Sequence, residues 1–145
     1  ESHEYLVARV LAYCLEYREG IAFGRGLAEP DEPAVAVSDL TGTRQVWIEI
    51  GSPDAGRLHR ASKACPRVVV YTHKDPANLL RQLEGQRIHR RESIELVALD
   101  RDLITKLVDR LDRRMGFTLM RSEDHLYVTF GEEALEGALT RRTLA

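Results

Sequence analysis

The chain has 145 residues, enough for one well-packed domain and too few for two ordinary ones. Its net charge of −2 argues against a protein that coats nucleic acid by bulk electrostatics, because such domains carry a large basic excess. No apolar run approaches the ~20 residues that cross a bilayer, and the start does not look like a secretory signal. We therefore expect a soluble, cytoplasmic protein without a membrane partner.

The charge is unevenly distributed along the chain. Residues 55–91 contain nine basic and two acidic residues, so this segment carries +7 and the rest of the chain −9. A basic segment of this kind can form a stripe that faces phosphate, or its arginines can be solvated positions on helices and edge strands. The charge pattern alone leaves both interpretations open.

The periodicity of apolar residues predicts the elements in chain order. An amphipathic helix opens the chain and ends near Gly20, and a short strand and a loop follow over residues 21–33. Residues 34–40 and 45–50 predict an antiparallel hairpin. Later elements are helices beginning at residues 54 and 75, buried strands at 68–71 and 94–99, a helix at 102–113, and a final hairpin of 117–120 with 126–130. This alternation predicts an α/β fold with a mixed sheet flanked by helices and a C-terminal hairpin.

The start of the chain is unusual for such a fold. No initiator Met and no strand precede the first helix. We therefore predict one domain, residues 1–145, that lacks its natural N-terminal strands.

Polar side chains in the central hairpin are the first candidates for chemistry. Asp39 ends the first strand, and Glu49 lies inside the second, where an ionised carboxylate is costly unless it is paired or binds a cation. Strand alternation puts Glu49 on the same face as Trp47. An arginine from a neighbouring helix could satisfy Glu49. Alternatively, two carboxylates could hold Mg²⁺ or Mn²⁺, which prefer oxygen ligands and polarise a phosphodiester.

Sequence strings in this region resemble known families. SDLTGTRQVWIEIG, residues 38–51, resembles the PD-(D/E)XK nuclease motif, with a ten-residue step between its two acids. More specifically, EPDEPAVAVSDLTG, WIEIGSPD and RLHRASKACPRVVVYTHKDP resemble the YaeQ family, and the similarity covers nearly the whole chain. The resemblance implies a restriction-endonuclease-like fold, in which a helix, a three-strand meander, a helix and a parallel strand follow one another.

The resemblance also implies metal-binding residues. Asp39 and Glu49 fall on the metal-binding acids of the motif. Glu4, on the first helix, falls on the acid that such folds often add, and Glu1 is a weaker candidate one turn earlier. Both helix acids could instead be present only because the helix dipole favours them.

The catalytic lysine is where the chain departs from the motif. Gly51 stands two residues after the motif Glu, where a lysine is expected. YaeQ-like proteins resemble nucleases whose lysine has moved to the following helix, where this chain offers Arg57, Arg60 and Lys63. We predict Lys63 as the catalytic lysine, with Arg57 and Arg60 binding phosphate, because arginine stays charged and transfers protons poorly.

Three functional hypotheses follow. The first is a metal-dependent nuclease that acts on DNA or RNA with Mg²⁺ or Mn²⁺, using Asp39, Glu49, Glu4 and Lys63. The second is a non-catalytic nucleic-acid-binding or regulatory protein on the same fold, which Gly51 favours. The third is a protein-interaction module without a nucleic-acid partner.

Overall fold

The structure is a computed structural model that describes residues 2–26 and 29–145. It contains four α-helices and eight strands among these residues. In chain order they are α1 (His3–Leu15), β1 (Ile21–Phe23), β2 (Val35–Ser38), β3 (Arg44–Ile50), α2 (Ala55–Ala64), β4 (Arg67–Thr72), α3 (Pro76–Leu83), β5 (Glu95–Leu99), α4 (Arg101–Val108), β6 (Thr118–Ser122), β7 (His125–Phe130) and β8 (Glu133–Thr143). None of the described helices has the length and apolar character to cross a membrane.

The helices begin at side chains that satisfy free backbone N–H groups. Each first turn leaves such groups without a partner in the helix, and Ser and Asp side chains accept from them. The caps are Ser2 for α1, Asp54 for α2, Asp75 for α3 and Asp100 for α4. The predicted starts at residues 54 and 75 are therefore confirmed.

All eight strands form one curled sheet in the order β1-β2-β3-β4-β5-β8-β7-β6. The central strands β3, β4 and β5 are parallel, and the outer neighbours pair antiparallel. One half of β8 pairs with β7 and the other half with β5, so this strand links the two parts of the sheet. The predicted α/β class with a mixed sheet is confirmed.

The sheet separates two apolar clusters, and β3 contributes to both. Val46, Ile48 and Ile50 pack on the face covered by α1 and α4. Trp47 packs on the other face, with residues of α2 and α3. This division is the alternation predicted for β3, and it turns Glu49 toward the α2 side of the sheet.

Strand β8 is the largest difference from the predicted elements. The final hairpin of β6 and β7 is present, but β8 adds a third antiparallel strand to it. Its buried positions, Leu135, Gly137 and Leu139, do alternate, yet the central one is a glycine, which has low strand propensity and interrupts the apolar pattern. The structure also ends α4 at Val108, five residues before the predicted end.

Gly137 is required where β8 crosses α4. A Cβ at residue 137 would lie 2.9 Å from the Cβ atoms of both Asp100 and Leu103. We predict that Gly137→Ala lowers the free energy of unfolding by about 1–3 kcal/mol, measured by urea denaturation, because β8 and α4 must move apart.

The matched control is Gly116→Ala. No described atom lies within 4 Å of where its Cβ would be, so we expect a change within about 0.5 kcal/mol. Equal effects of the two substitutions would contradict this account of Gly137.

Candidate functional site

Glu49 is buried, with 2% of its surface exposed, and both of its carboxylate oxygens are engaged. The indole N–H of Trp47 donates to Oε1 at 2.8 Å, and Nε of Arg57 donates to Oε2 at 2.6 Å. Arg57 comes from the first turn of α2 and is itself buried. Of the two interpretations of Glu49, the structure therefore shows the first: an arginine from a neighbouring helix compensates its charge.

Arg57 also organises the loop that precedes β2. A guanidinium has five N–H donors, and the four that do not reach Glu49 donate to loop carbonyls. Their acceptors are the carbonyl oxygens of Gly26 at 3.2 Å, Glu29 at 3.0 Å, Pro30 at 3.1 Å and Glu32 at 2.5 Å. Each donor of Arg57 thus has a partner, and the guanidinium connects α2, β3 and the loop.

Asp39 lies in the exposed turn between β2 and β3, where it stabilises the turn. Its Oδ1 accepts from the backbone N–H groups of Thr41 and Thr43 at 2.9 and 3.0 Å, and Oδ2 accepts from Gln45 at 3.1 Å. The Thr41 hydroxyl also donates to Oδ1 at 2.6 Å. This hydrogen bond, followed by that of the Thr43 N–H, lowers the pKa of Asp39 below its usual value.

The structure does not bring Asp39 and Glu49 together. Asp39 pairs with Thr43 at the turn, whereas Ile48, the neighbour of Glu49, pairs with Val35 at the other end of β2. Six residues of extended strand separate Thr43 from Glu49, which corresponds to about 20 Å. No single ion can contact both carboxylates.

The implied Mg²⁺ or Mn²⁺ does not fit this set of donors. The hydrogen bonds already described engage both oxygens of each carboxylate, and Glu49 faces a guanidinium. Among residues 2–26 and 29–145, no cluster of three or more His, Cys, Asp or Glu side chains is arranged to hold a metal ion. These two carboxylates therefore do not form a metal site.

The remaining predicted residues lie in different places. Glu4 is exposed in the first turn of α1, and Glu1 lies outside the described residues. Arg60 is exposed on α2, with its Nε 3.8 Å from an Asp31 carboxylate oxygen. Lys63 is exposed in the last turn of α2, six residues beyond the buried Arg57. Their predicted catalytic, metal-binding and phosphate-binding roles stay predictions.

Beside Glu49 a polar cleft opens at the carboxyl ends of β3 and β4. It consists of two adjoining cavities, of about 210 and 390 Å³, that share Ser2, His73 and Lys74. Tyr5, Glu49, Gly51 and Arg57 also line the smaller cavity, and Glu4, Arg101 and Thr105 also line the larger. We call these residues the strand-end cleft.

His73 is the unusual group in the strand-end cleft. It is 8% exposed, and its Nδ1 is buried without a hydrogen-bond partner among the described residues. Burial lowers the pKa of His73, and the positive charge of Lys74 adds to this effect, while Glu4 opposes it. The imidazole is therefore neutral near pH 7 and can donate or accept one hydrogen bond within the cleft.

A second polar region lies on the exposed side of α2. It contains His59, Arg60, Lys63, Arg87 and His89, which we call the α2 basic surface. The His89 backbone N–H donates to Nδ1 of His59 at 3.0 Å, which joins the loop after α3 to α2. Loss of hydration, followed by the positive charges of Lys63 and Arg87, lowers the pKa of His59.

Sequence reasoning named Lys74 only as part of the basic segment, and it missed His73 and Arg101 as site residues. The sequence did contain an indication that His73 and Lys74 could belong to a site. They come directly after the buried strand β4, and ligands of α/β sheets bind outside the carboxyl ends of parallel strands. Arg101 had no comparable indication, because its nearness to His73 depends on how α4 packs.

The curled mixed sheet, covered by helices on both faces and open at its strand ends, defines a mixed α/β protein. The chain belongs to the YaeQ family, because the family model described as YaeQ protein matches residues 1–139. The expected family membership is therefore confirmed.

Relatives and solved structures agree with this assignment. The chain is 25% identical to the Uncharacterized protein YaeQ of Escherichia coli K12 over 141 residues, which cover 97% of this chain and 78% of that protein. The crystal structure of YaeQ from Pseudomonas syringae has a TM-score of 0.84 and 28% identity, covering 100% of this chain and 79% of that one. YaeQ from Xanthomonas axonopodis pv. citri gives 0.85 and 25%, with 98% and 81% covered.

The buried pair of Arg57 and Glu49 generates a stability prediction. Arg57→Met would leave the Glu49 charge buried without a counter-charge and four loop carbonyls without donors. We predict a loss of about 3–5 kcal/mol in the free energy of unfolding, measured by urea denaturation.

Arg60→Met is the matched control, one turn along the same helix. Its side chain is 53% exposed and its ion pair with Asp31 is long, so we expect a change within about 0.5 kcal/mol. A loss below 1 kcal/mol for Arg57→Met would contradict the structural role of the pair.

Proposed function

We propose that this chain binds DNA or RNA through the α2 basic surface and acts as a non-catalytic nucleic-acid-binding or regulatory protein. The observation that carries the proposal is the concentration of Arg60, Lys63 and Arg87 on one exposed surface. Within the two described stretches of the chain, neither Lys63 nor Arg87 has an ion-pair partner. Clustered, uncompensated cations of this kind attract the phosphate backbone of nucleic acid.

Three other cations of the +7 segment, Arg57, Arg67 and Arg90, have structural partners. Arg67 pairs with Glu16 at 2.6 Å and with Glu95 at 2.7 Å. Arg90 donates to backbone carbonyls at the end of α2 and beyond it. With Arg57 committed to Glu49, Lys63 and Arg87 remain available to a ligand on the α2 basic surface.

The resemblance to PD-(D/E)XK nucleases supports nucleic acid as the ligand class, and a restriction-endonuclease-like fold is part of this proposal. Metal-dependent hydrolysis has less support. The Glu49 carboxylate is already paired with Arg57. Asp39 lies at the far end of the hairpin, and Gly51 stands in place of the motif lysine. Binding without hydrolysis agrees with all three observations.

If the chain binds nucleic acid through the α2 basic surface, its affinity should depend on salt and on Lys63 and Arg87. In Lys63→Gln/Arg87→Gln, we expect weaker binding of DNA and RNA duplexes in fluorescence anisotropy at low salt. The slope of log affinity against log salt should fall by about 0.9 per lost phosphate contact on B-DNA.

Lys106→Gln/Arg113→Gln is the charge-matched control, with both changes in or after α4 on the other side of the sheet. It should bind as the unmodified chain does. Equal binding by both double variants, or no binding by the unmodified chain at low salt, would contradict the proposal and favour a protein-interaction module.

The non-catalytic half predicts that single- and double-stranded DNA and RNA stay intact in Mg²⁺ or Mn²⁺. The products are resolved on denaturing gels, with Asp39→Ala and Lys63→Ala run in parallel. Cleavage that a chelator abolishes, and that either variant lacks, would establish the nuclease instead.

A further inference from the structure

The strand-end cleft has the dimensions and lining of a small-ligand site. Its larger cavity, of about 390 Å³, falls within the range of roughly 300–1,000 Å³ typical of ligand pockets. Gly51, at φ +87°, forms part of the adjoining cavity, and a Cβ there would lie 3.9 Å from the ring of His73. Because residue 51 has no side chain, the space beside the imidazole is unfilled.

Two cations line the cleft without a counter-charge in contact. Lys74 and Arg101 both border the larger cavity, and across residues 2–26 and 29–145 neither makes an ion pair. Glu4 borders the same cavity and also lacks an ion pair within these residues. The cleft therefore has an excess of one positive charge, since Arg57 and Glu49 neutralise each other.

The first turn of α1 adds to this positive potential. Ser2, the cap of α1, lines both cavities, so the amino end of a 13-residue helix faces the cleft. Unpaired N–H groups and the helix dipole make such an end favourable for an anion.

His73 supplies an independent indication that a ligand belongs in the cleft. Its ring is more than nine-tenths buried, it lines both cavities, and Nδ1 has no hydrogen-bond partner in the described structure. A buried polar atom without a partner is costly and uncommon in folded proteins. The other ring nitrogen, Nε2, also makes no hydrogen bond in the described structure but is not fully buried, so an oxygen of a ligand in the cleft can reach it.

We propose that the strand-end cleft binds a terminal phosphate group, either inorganic phosphate or the phosphate of a nucleotide, with Lys74 and Arg101 contacting the anion and His73 hydrogen-bonding one of its oxygens. A metal ion is the weaker candidate, since Glu4 and His73 provide only two ligands, and no group of three is present in the described residues. This site is separate from the α2 basic surface, so the proposal does not depend on nucleic-acid binding.

The test is an NMR titration of protein labelled with ¹⁵N at its five histidines. The probes are inorganic phosphate, adenosine monophosphate and adenosine. We expect phosphate and the monophosphate to shift the His73 ring nitrogens selectively, and adenosine to leave them unchanged. His73→Gln assigns the signal by removing it.

Variants on both sides of the cleft make the test specific. Lys74→Gln and Arg101→Gln should each weaken phosphate binding about tenfold or more, as expected for the loss of one charge-assisted contact. Lys106→Gln, on α4 outside the cleft, should not, and neither should the Lys63→Gln/Arg87→Gln double variant. Tighter binding of the monophosphate would identify a nucleotide as the source, and equal binding would identify free phosphate.

Two results would overturn the proposal. One is the absence of a His73 shift with either phosphate probe. The other is unchanged phosphate affinity in both Lys74→Gln and Arg101→Gln, which would mean that the anion binds elsewhere. Because the α2 variants are included, a failure of this site is distinguishable from a failure of nucleic-acid binding.

Discussion

The buried ion pair between Arg57 and Glu49 is the interaction on which the arrangement of this site depends. Removing two charges from water is costly, and the cost is offset only when geometry and additional hydrogen bonds are nearly complete. Here Trp47 takes the second carboxylate oxygen, and loop carbonyls take the remaining guanidinium donors. One side chain therefore fixes the start of α2, the end of β3 and the loop before β2 in a single arrangement.

This pair also decides which chemistry the site can support. A metal-dependent nuclease needs carboxylates whose oxygens are available to a cation, whereas Glu49 already contacts a cation that belongs to the protein. Among the described residues, the cations without an ion pair include Lys63 and Arg87 on the α2 basic surface, and Lys74 and Arg101 in the strand-end cleft. Both regions favour anions, and this common preference is why we propose binding functions for them.

The sequence predicted the elements around the central hairpin well, because their apolar periodicities are strong and their helices begin at Asp54 and Asp75. Strand β8 was missed because Gly137, needed for close packing on α4, breaks the pattern that marks a strand. The grouping of Arg101 with Glu4 and His73 was missed for another reason. Glu4 and Arg101 are almost a hundred residues apart in sequence, and only the packing of α1 beside α4 places them at one cleft.

The placement of Asp39 shows how a motif can be matched in spacing and still differ in geometry. In an antiparallel hairpin, the end of the second strand lies beside the start of the first, so the neighbours of Glu49 are the residues just before Val35. An acid able to approach Glu49 must therefore precede β2, as Asp31 and Glu32 do, while Asp39 follows it. The Arg57 guanidinium spans this gap, contacting Glu49 on one side and the Glu32 carbonyl on the other. The register of the hairpin, which spacing alone does not specify, thus places Glu49 beside a cation of the protein and far from Asp39.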